Sequence, residues 1–122
     1  MIDSMETLSF LALPAQNLSI GEAVCLSFSY FTSTYYSKVK VYIKKDNRAD
    51  HLVWISTKPS KYVTNIGSNW RTDFIEINNN ENMGSFIRYE VIFEFVRGPN
   101  QVEEMAVDDI FLEKSMCISK KY

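Results

Sequence analysis

The sequence holds a single histidine, two cysteines, four glycines and three prolines in 122 residues. One histidine cannot furnish a two-histidine metal site, and a Ser-His-Asp or Cys-His device would have to be built around that residue alone. His51 follows the polar stretch Asp46-Asn47-Arg48-Ala49-Asp50, where a lone imidazole is solvated, and it receives no role. No nucleophile stands beside a base in a recognisable motif, so the chain is expected not to be an enzyme.

Charge of one sign is also scarce. Thirteen Lys and Arg stand against fifteen Asp and Glu, for a formal charge of -2. The basic residues Lys38, Lys40, Lys44, Lys45, Arg71, Arg88 and Arg97 are scattered. They do not form a strip able to hold a phosphate backbone, which excludes nucleic acid as an expected partner. No apolar run approaches the roughly 20 residues that a membrane helix needs, so no bilayer span is expected in this chain. Ser9-Phe10-Leu11-Ala12-Leu13-Pro14-Ala15 has the apolarity of a short signal core, but Asp3 and Glu6 precede it where a leader carries positive charge. It reads as a strand.

Apolar residues are plentiful at 46%, with 14% aromatic, enough for the packed interior of one globular domain over residues 1–122. Their spacing has period two, the pattern of strands with one face to the core and one to water. In Phe86 to Val96 the residues Ile87, Tyr89, Val91, Phe93 and Phe95 share one face while Arg88, Glu90 and Glu94 share the other. This predicts a central strand. Val24, Leu26, Phe28 and Tyr30 alternate with Cys25, Ser27 and Ser29, and Val39, Val41 and Ile43 alternate with Lys38, Lys40 and Lys44. Leu8 to Leu13, Leu52 to Ser56, Arg71 to Ile77 and Met105 to Leu112 are further strand candidates. The spacers, among them Asn65-Ile66-Gly67-Ser68-Asn69, the polar hairpin loop Asn78-Asn79-Asn80-Glu81-Asn82 and Gly98-Pro99-Asn100, are rich in turn formers. The total is about seven strands with short loops, an all-β antiparallel β-sandwich.

Cys25 begins one predicted strand and Cys117 lies just past the last. A bond between them would tie the start of the fold to its end; two buried free thiols of a cytosolic protein are the alternative. Asn17-Leu18-Ser19 fits the N-glycosylation acceptor pattern, in a stretch read as a loop between strands.

Several short motifs then occur in a telling order: Cys25-Leu26-Ser27-Phe28-Ser29-Tyr30, Val39-Lys40-Val41-Tyr42-Ile43, Leu52-Val53-Trp54, Gly67-Ser68-Asn69-Trp70, Phe93-Glu94-Phe95-Val96-Arg97-Gly98, Ala106-Val107-Asp108-Asp109-Ile110-Phe111-Leu112, and Cys117. The series resembles the MAM domain, the extracellular module of meprin, the A5 antigen and receptor tyrosine phosphatase mu, over residues 8–117. The resemblance implies a jelly-roll-like sandwich and a disulfide between Cys25 and Cys117. MAM domains are usually longer and open with a first cysteine pair and a Cys-Asp-Phe-Glu-like start. Nothing in Met1 to Leu8 is similar to it. The expectation is a partial module, truncated or divergent, that lacks an N-terminal edge strand. Such a loss would leave unpaired backbone groups and apolar surface, and with them dimerisation or aggregation of the isolated chain.

Asp108 and Asp109 lie within an apolar strand, where a carboxylate has to be hydrogen-bonded, paired or metal-bound. In related jelly-roll modules the equivalent carboxylates help to hold a structural calcium ion, so the pair are calcium-ligand candidates, against a role in bonding backbone amides at a sheet corner. A catalytic carboxylate pair is disfavoured because neighbours on a strand point to opposite faces. Trp54 and Trp70 are either an aromatic platform or core, with Trp70 plugging one end and Trp54 packed on a neighbouring strand. Tyr30, Phe31, Tyr35 and Tyr36 flank Thr32-Ser33-Thr34 and form the surface-contact candidate.

The first reading of function is an extracellular, non-enzymatic adhesion module. It would belong to a larger secreted or membrane-anchored protein, need no cofactor, and bind protein partners or a second copy of itself. The alternative is a carbohydrate-binding module on the same sandwich, reading glycans through Tyr35, Tyr36 or Trp54 with calcium near Asp108.

Overall fold

The computed structural model describes residues 6–32, 37–46, 48–56, 70–79, 86–98 and 105–117. Tyr35, Tyr36, the Gly67-Ser68-Asn69 motif and most of the Asn78 to Asn82 loop lie outside the described residues. Eight strands follow in chain order among those described: β1 (Glu6–Ala12), β2 (Gln16–Ser19), β3 (Ala23–Thr32), β4 (Lys38–Lys45), β5 (His51–Ile55), β6 (Arg71–Asn78), β7 (Phe86–Arg97) and β8 (Met105–Glu113). All pairings are antiparallel.

Seven of the strands are those that the alternation predicts. The eighth, β2, is too short to show a period: of its four residues only Leu18 is buried. It completes the edge of the larger sheet by pairing with the first half of β7, while β1 pairs with the second half. A bond from the Leu13 amide to the Val91 carbonyl, 2.9 Å, carries the ladder across the gap between them. The turn after β2 needs a left-handed residue, and Gly21 supplies it at φ 82° without the steric penalty that a Cβ would incur.

Five strands thus make one sheet, in the order β1-β7-β4-β5 with β2 also on β7, and β6-β3-β8 make the other. Strand β7 is central, as its aromatic inner face predicts. The two sheets face each other across a single core of Leu18, Val24, Leu26, Phe28, Tyr30, Val39, Val41, Ile43, Ile77, Ile87, Tyr89, Val91 and Phe93.

The middle of that core is aromatic. Phe28 of the small sheet meets Trp54 and Phe93 of the large one edge-to-face, with ring centroids 4.9 and 5.4 Å apart. Tyr30 meets Trp54 at 4.8 Å. Polar links also cross between the sheets. Trp54 Nε1 donates to Asp73 Oδ2 at 2.8 Å, and Lys45 Nζ donates to the Asn78 carbonyl at 3.2 Å. The first satisfies an indole N–H that burial would otherwise leave without water.

Truncating Phe93, whose exposure is 0%, opens a cavity where both sheets meet. Phe93→Ala is expected to destabilise the domain by about 3 to 5 kcal/mol, read as a lower denaturant midpoint with an unchanged slope.

Candidate functional site

A binding module works through a surface, and the two sheets offer outer faces of different chemistry. On the large sheet the register sets Lys40 opposite Glu94 and Lys44 opposite Glu90, cross-strand pairs of opposite charge. Glu94 is only 8% exposed although it points away from the core. The Tyr42 hydroxyl donates to its Oε1 at 2.7 Å, and the Thr7 hydroxyl donates to its Oε2. The carboxylate therefore fastens β1, β4 and β7 together. Burial pushes the Glu94 carboxyl up, but the Thr7 and Tyr42 hydrogen bonds and the Lys40 charge outweigh it and hold the carboxyl below its usual value. The Tyr42 hydroxyl is pushed up to about 12, first by its hydrogen bond to Glu94 and then by burial and nearby negative charge. The centre of this face has its polar groups engaged with one another.

The outer face of the small sheet is built in rows. Ser27 lies between Phe74 and Phe111, and Ser29 lies between Thr72 and Asp108. Ser29 and Thr72 share a hydroxyl hydrogen bond at 3.2 Å. At the end of the sheet Phe31, opposite Ala106, has its ring 5.9 Å from that of Trp70. Two aromatic rows are thereby separated by a hydroxyl row. Phe111 is 62% exposed and Trp70 43%, while Phe31 and Phe74 are half-buried.

The other end of this face is closed by the disulfide. Cys25 lies between Glu76 and Glu113 in register, and its sulfur is bonded to Cys117, with the two Cα atoms 4.9 Å apart. The Cys117 amide donates to Glu76 Oε1 at 3.1 Å. The bridge pins the segment after β8 across β3 and β6, and no free cysteine is left.

The predicted interaction residues divide. Phe31 stands on the aromatic face. Tyr30 does not: it is a core residue on the opposite side of β3, because its parity is that of Phe28. Trp54 packs against the core with its indole N–H bonded to Asp73, so it offers no open platform for a sugar. Trp70, expected to plug the core, is the exposed tryptophan. Tyr35 and Tyr36 lie outside the described residues. Phe74 and Phe111 belong to the face without having been singled out. Phe74 has the outward parity of its strand, whereas that of Phe111 is obscured by a bulge.

That bulge also corrects the reading of the acidic pair. The β8 register slips between the partners of Ser27 and Ser29, and Asp109 takes a left-handed φ of 52°, a conformation in which Asp is enriched. Asp108 and Asp109 are both exposed, and Asp108 Oδ1 accepts the Asp109 amide at 2.7 Å. Neither has a burial cost to offset. No group of three or more His, Cys, Asp or Glu side chains placed to hold a metal ion occurs among the described residues. Asn17 lies in β2 rather than in a loop, exposed opposite Arg88. His51 stands at the rim of a cleft of about 310 Å³ with Ile43, Lys45, Val53 and Ile77.

The chain is thus a disulfide-tied antiparallel β-sandwich of two sheets. The chain belongs to the MAM domain family (meprin/A5/mu), whose family model matches residues 5–118, slightly more than the stretch on which the sequence resemblance rests. MAM domains are non-enzymatic, extracellular adhesion-type modules of larger proteins. No helix among the described residues is long and apolar enough to cross a membrane.

Two outcomes follow from these interactions. The disulfide closes a sequence separation of 92 residues, so replacing both cysteines by Ala is expected to lower stability by up to about 4 to 5 kcal/mol on the chain-entropy account, measured by urea unfolding. Glu94 has a folded-state pKa below its unfolded one, so its contribution is fully present above the ordinary value of 4.5 and is lost as pH falls through the lower folded value. Glu94→Gln is expected to be less stable than the parent at neutral pH and to show a flatter fall in melting temperature across that acid window.

Proposed function

We propose that the domain is an adhesion unit of a secreted or membrane-anchored protein, and that it binds a protein partner or a second copy through the outer face of the small sheet. The observation that carries this is the pair of aromatic rows, exposed Phe111 with half-buried Phe74 and exposed Trp70 with half-buried Phe31, separated by Ser29 and Thr72. Large rigid rings at low conformational cost, interleaved with hydroxyls, are the composition of recognition surfaces. The centre of the other outer face is a charged ladder whose carboxylate at Glu94 is already engaged. Family membership and the Cys25–Cys117 bond support an oxidising extracellular setting, and glycosylation at Asn17 belongs to the same reading.

Beads coated with the oxidised chain are expected to cluster with one another or to capture a cell-surface protein. Phe111→Ser should weaken that binding at least about tenfold, the scale of an aromatic anchor, while the disulfide and the melting temperature stay as in the parent. If Phe111→Ser and Trp70→Ser beads bind as the parent does, the small-sheet face is not the site. If oxidised parent beads neither cluster nor capture protein, the adhesion reading fails.

A further inference from the structure

Strand β2 has a free edge: among the described residues it pairs with β7 alone. The Ser19 end of that edge is closed, since the Ser19 amide donates to Glu22 Oε1 at 2.8 Å and the Ser19 carbonyl accepts the Glu22 amide at 3.0 Å; an edge left open beyond it, towards Asn17, invites another strand. Apolar surface surrounds it, with Ile20 at 55% and Phe86 at 56% exposure. The strand is four residues long, and its exposed side chains are those of Gln16, Asn17 and Ser19; none of these is charged, and the Glu22 carboxylate just beyond its end is engaged by the Ser19 amide, so the Asn17 stretch lacks the charge that ordinarily blunts an edge. Yet Asn17-Leu18-Ser19 is the sole Asn-x-Ser/Thr triplet in a sequence that has eight other asparagines. It falls on this edge strand in the phase that buries Leu18 completely and turns Asn17 outward, opposite Arg88 and diagonal to Phe86. A shift of one residue would have put the acceptor amide in the core.

We infer that Asn17 carries an N-linked glycan whose role is to block the β2 edge and cover the Phe86 corner of the large sheet, leaving the small sheet as the face open to partners. This rests on the extracellular reading above. In the attachment step the Asn17 amide nitrogen bonds to the anomeric carbon of an oligosaccharide carried on a lipid diphosphate. The bond from that carbon to the phosphate oxygen breaks, the lipid diphosphate leaves with the electron pair, and the amide gives one proton to the transferase. No oxidation or reduction is involved. A hydrated, branched sugar attached to an edge strand excludes an incoming strand by bulk, as a lysine or proline does elsewhere.

The test uses the full chain secreted from animal cells behind a heterologous signal sequence. Peptide mass mapping is expected to find Asn17 occupied and, after enzymatic deglycosylation, converted to aspartate with a gain of about one mass unit. Asn17→Gln and Ser19→Ala should both lose the glycan and self-associate at least about tenfold more tightly by sedimentation, and adding Phe86→Glu to either should restore the monomer. Asn17 found bare in secreted, disulfide-bonded protein overturns the proposal. So does an occupied site whose loss leaves the chain monomeric, or self-association that Phe86→Glu does not reverse. Glycosylated parent that binds no partner would instead overturn the adhesion reading alone.

Discussion

The sandwich depends on the contact between Phe28 and the rings of Trp54 and Phe93. Two sheets of five and three strands have no continuous backbone ladder between them, so side-chain burial, helped by the few hydrogen bonds that cross the interface, holds one on the other. Phe28 lies at the centre of the small sheet and meets both partners edge-to-face, the arrangement in which the positive ring edge faces a negative ring face. Tyr30 extends the cluster along β3, and Asp73 keeps the Trp54 indole N–H satisfied. Because these residues come from β3, β5, β6 and β7, their packing fixes the relative position of most of the fold.

Inward burial on one side of a strand commits the other side to the surface. On β3 the phase that places Leu26, Phe28 and Tyr30 in the core also places Ser27, Ser29 and Phe31 outside, and the antiparallel register then sets Phe74, Phe111 and Thr72 beside them. The aromatic face is in this sense a consequence of the core. The disulfide acts on the same strand from its outer side, where Cys25 is covered by Cys117 and buried despite its outward phase. One end of the face is thereby shut and the rest left open.

The large sheet resolves its outward phase differently. Its central strand carries glutamates where the small sheet carries serines, and β4 answers with Lys40, Lys44 and the Tyr42 hydroxyl. Glu94 gathers hydrogen bonds from two neighbouring strands, which makes it a fastening for the β1 edge more than a contact for a partner. The charged and hydrogen-bonded groups therefore hold the centre of this face, while exposed Phe10 and Phe86 stand towards its β1 and β2 edge.

Much of this was legible in the chain. Period-two alternation located seven strands and the central role of β7, because each of those strands is long enough for its buried side to show. The order of short motifs around Cys25, Trp54, Trp70 and Cys117 sufficed for the family. Other features required three dimensions. Four residues with one buried leucine carry no period, so β2 appears only once β7 offers it a partner. The bulge at Asp109 breaks the phase of β8, and so the exposure of Asp108, Asp109 and Phe111 could not be counted along the strand. Tyr30 and Phe31 are adjacent aromatics that composition treats alike, yet the pleat sends one to the core and the other to the surface. Sequence alone determined which residues alternate and therefore the class of fold, since that pattern is a property of one strand at a time. Which outward residues become neighbours was decided only by tertiary structure, because register between strands distant in the chain is set by how both sheets pack on the shared aromatic core.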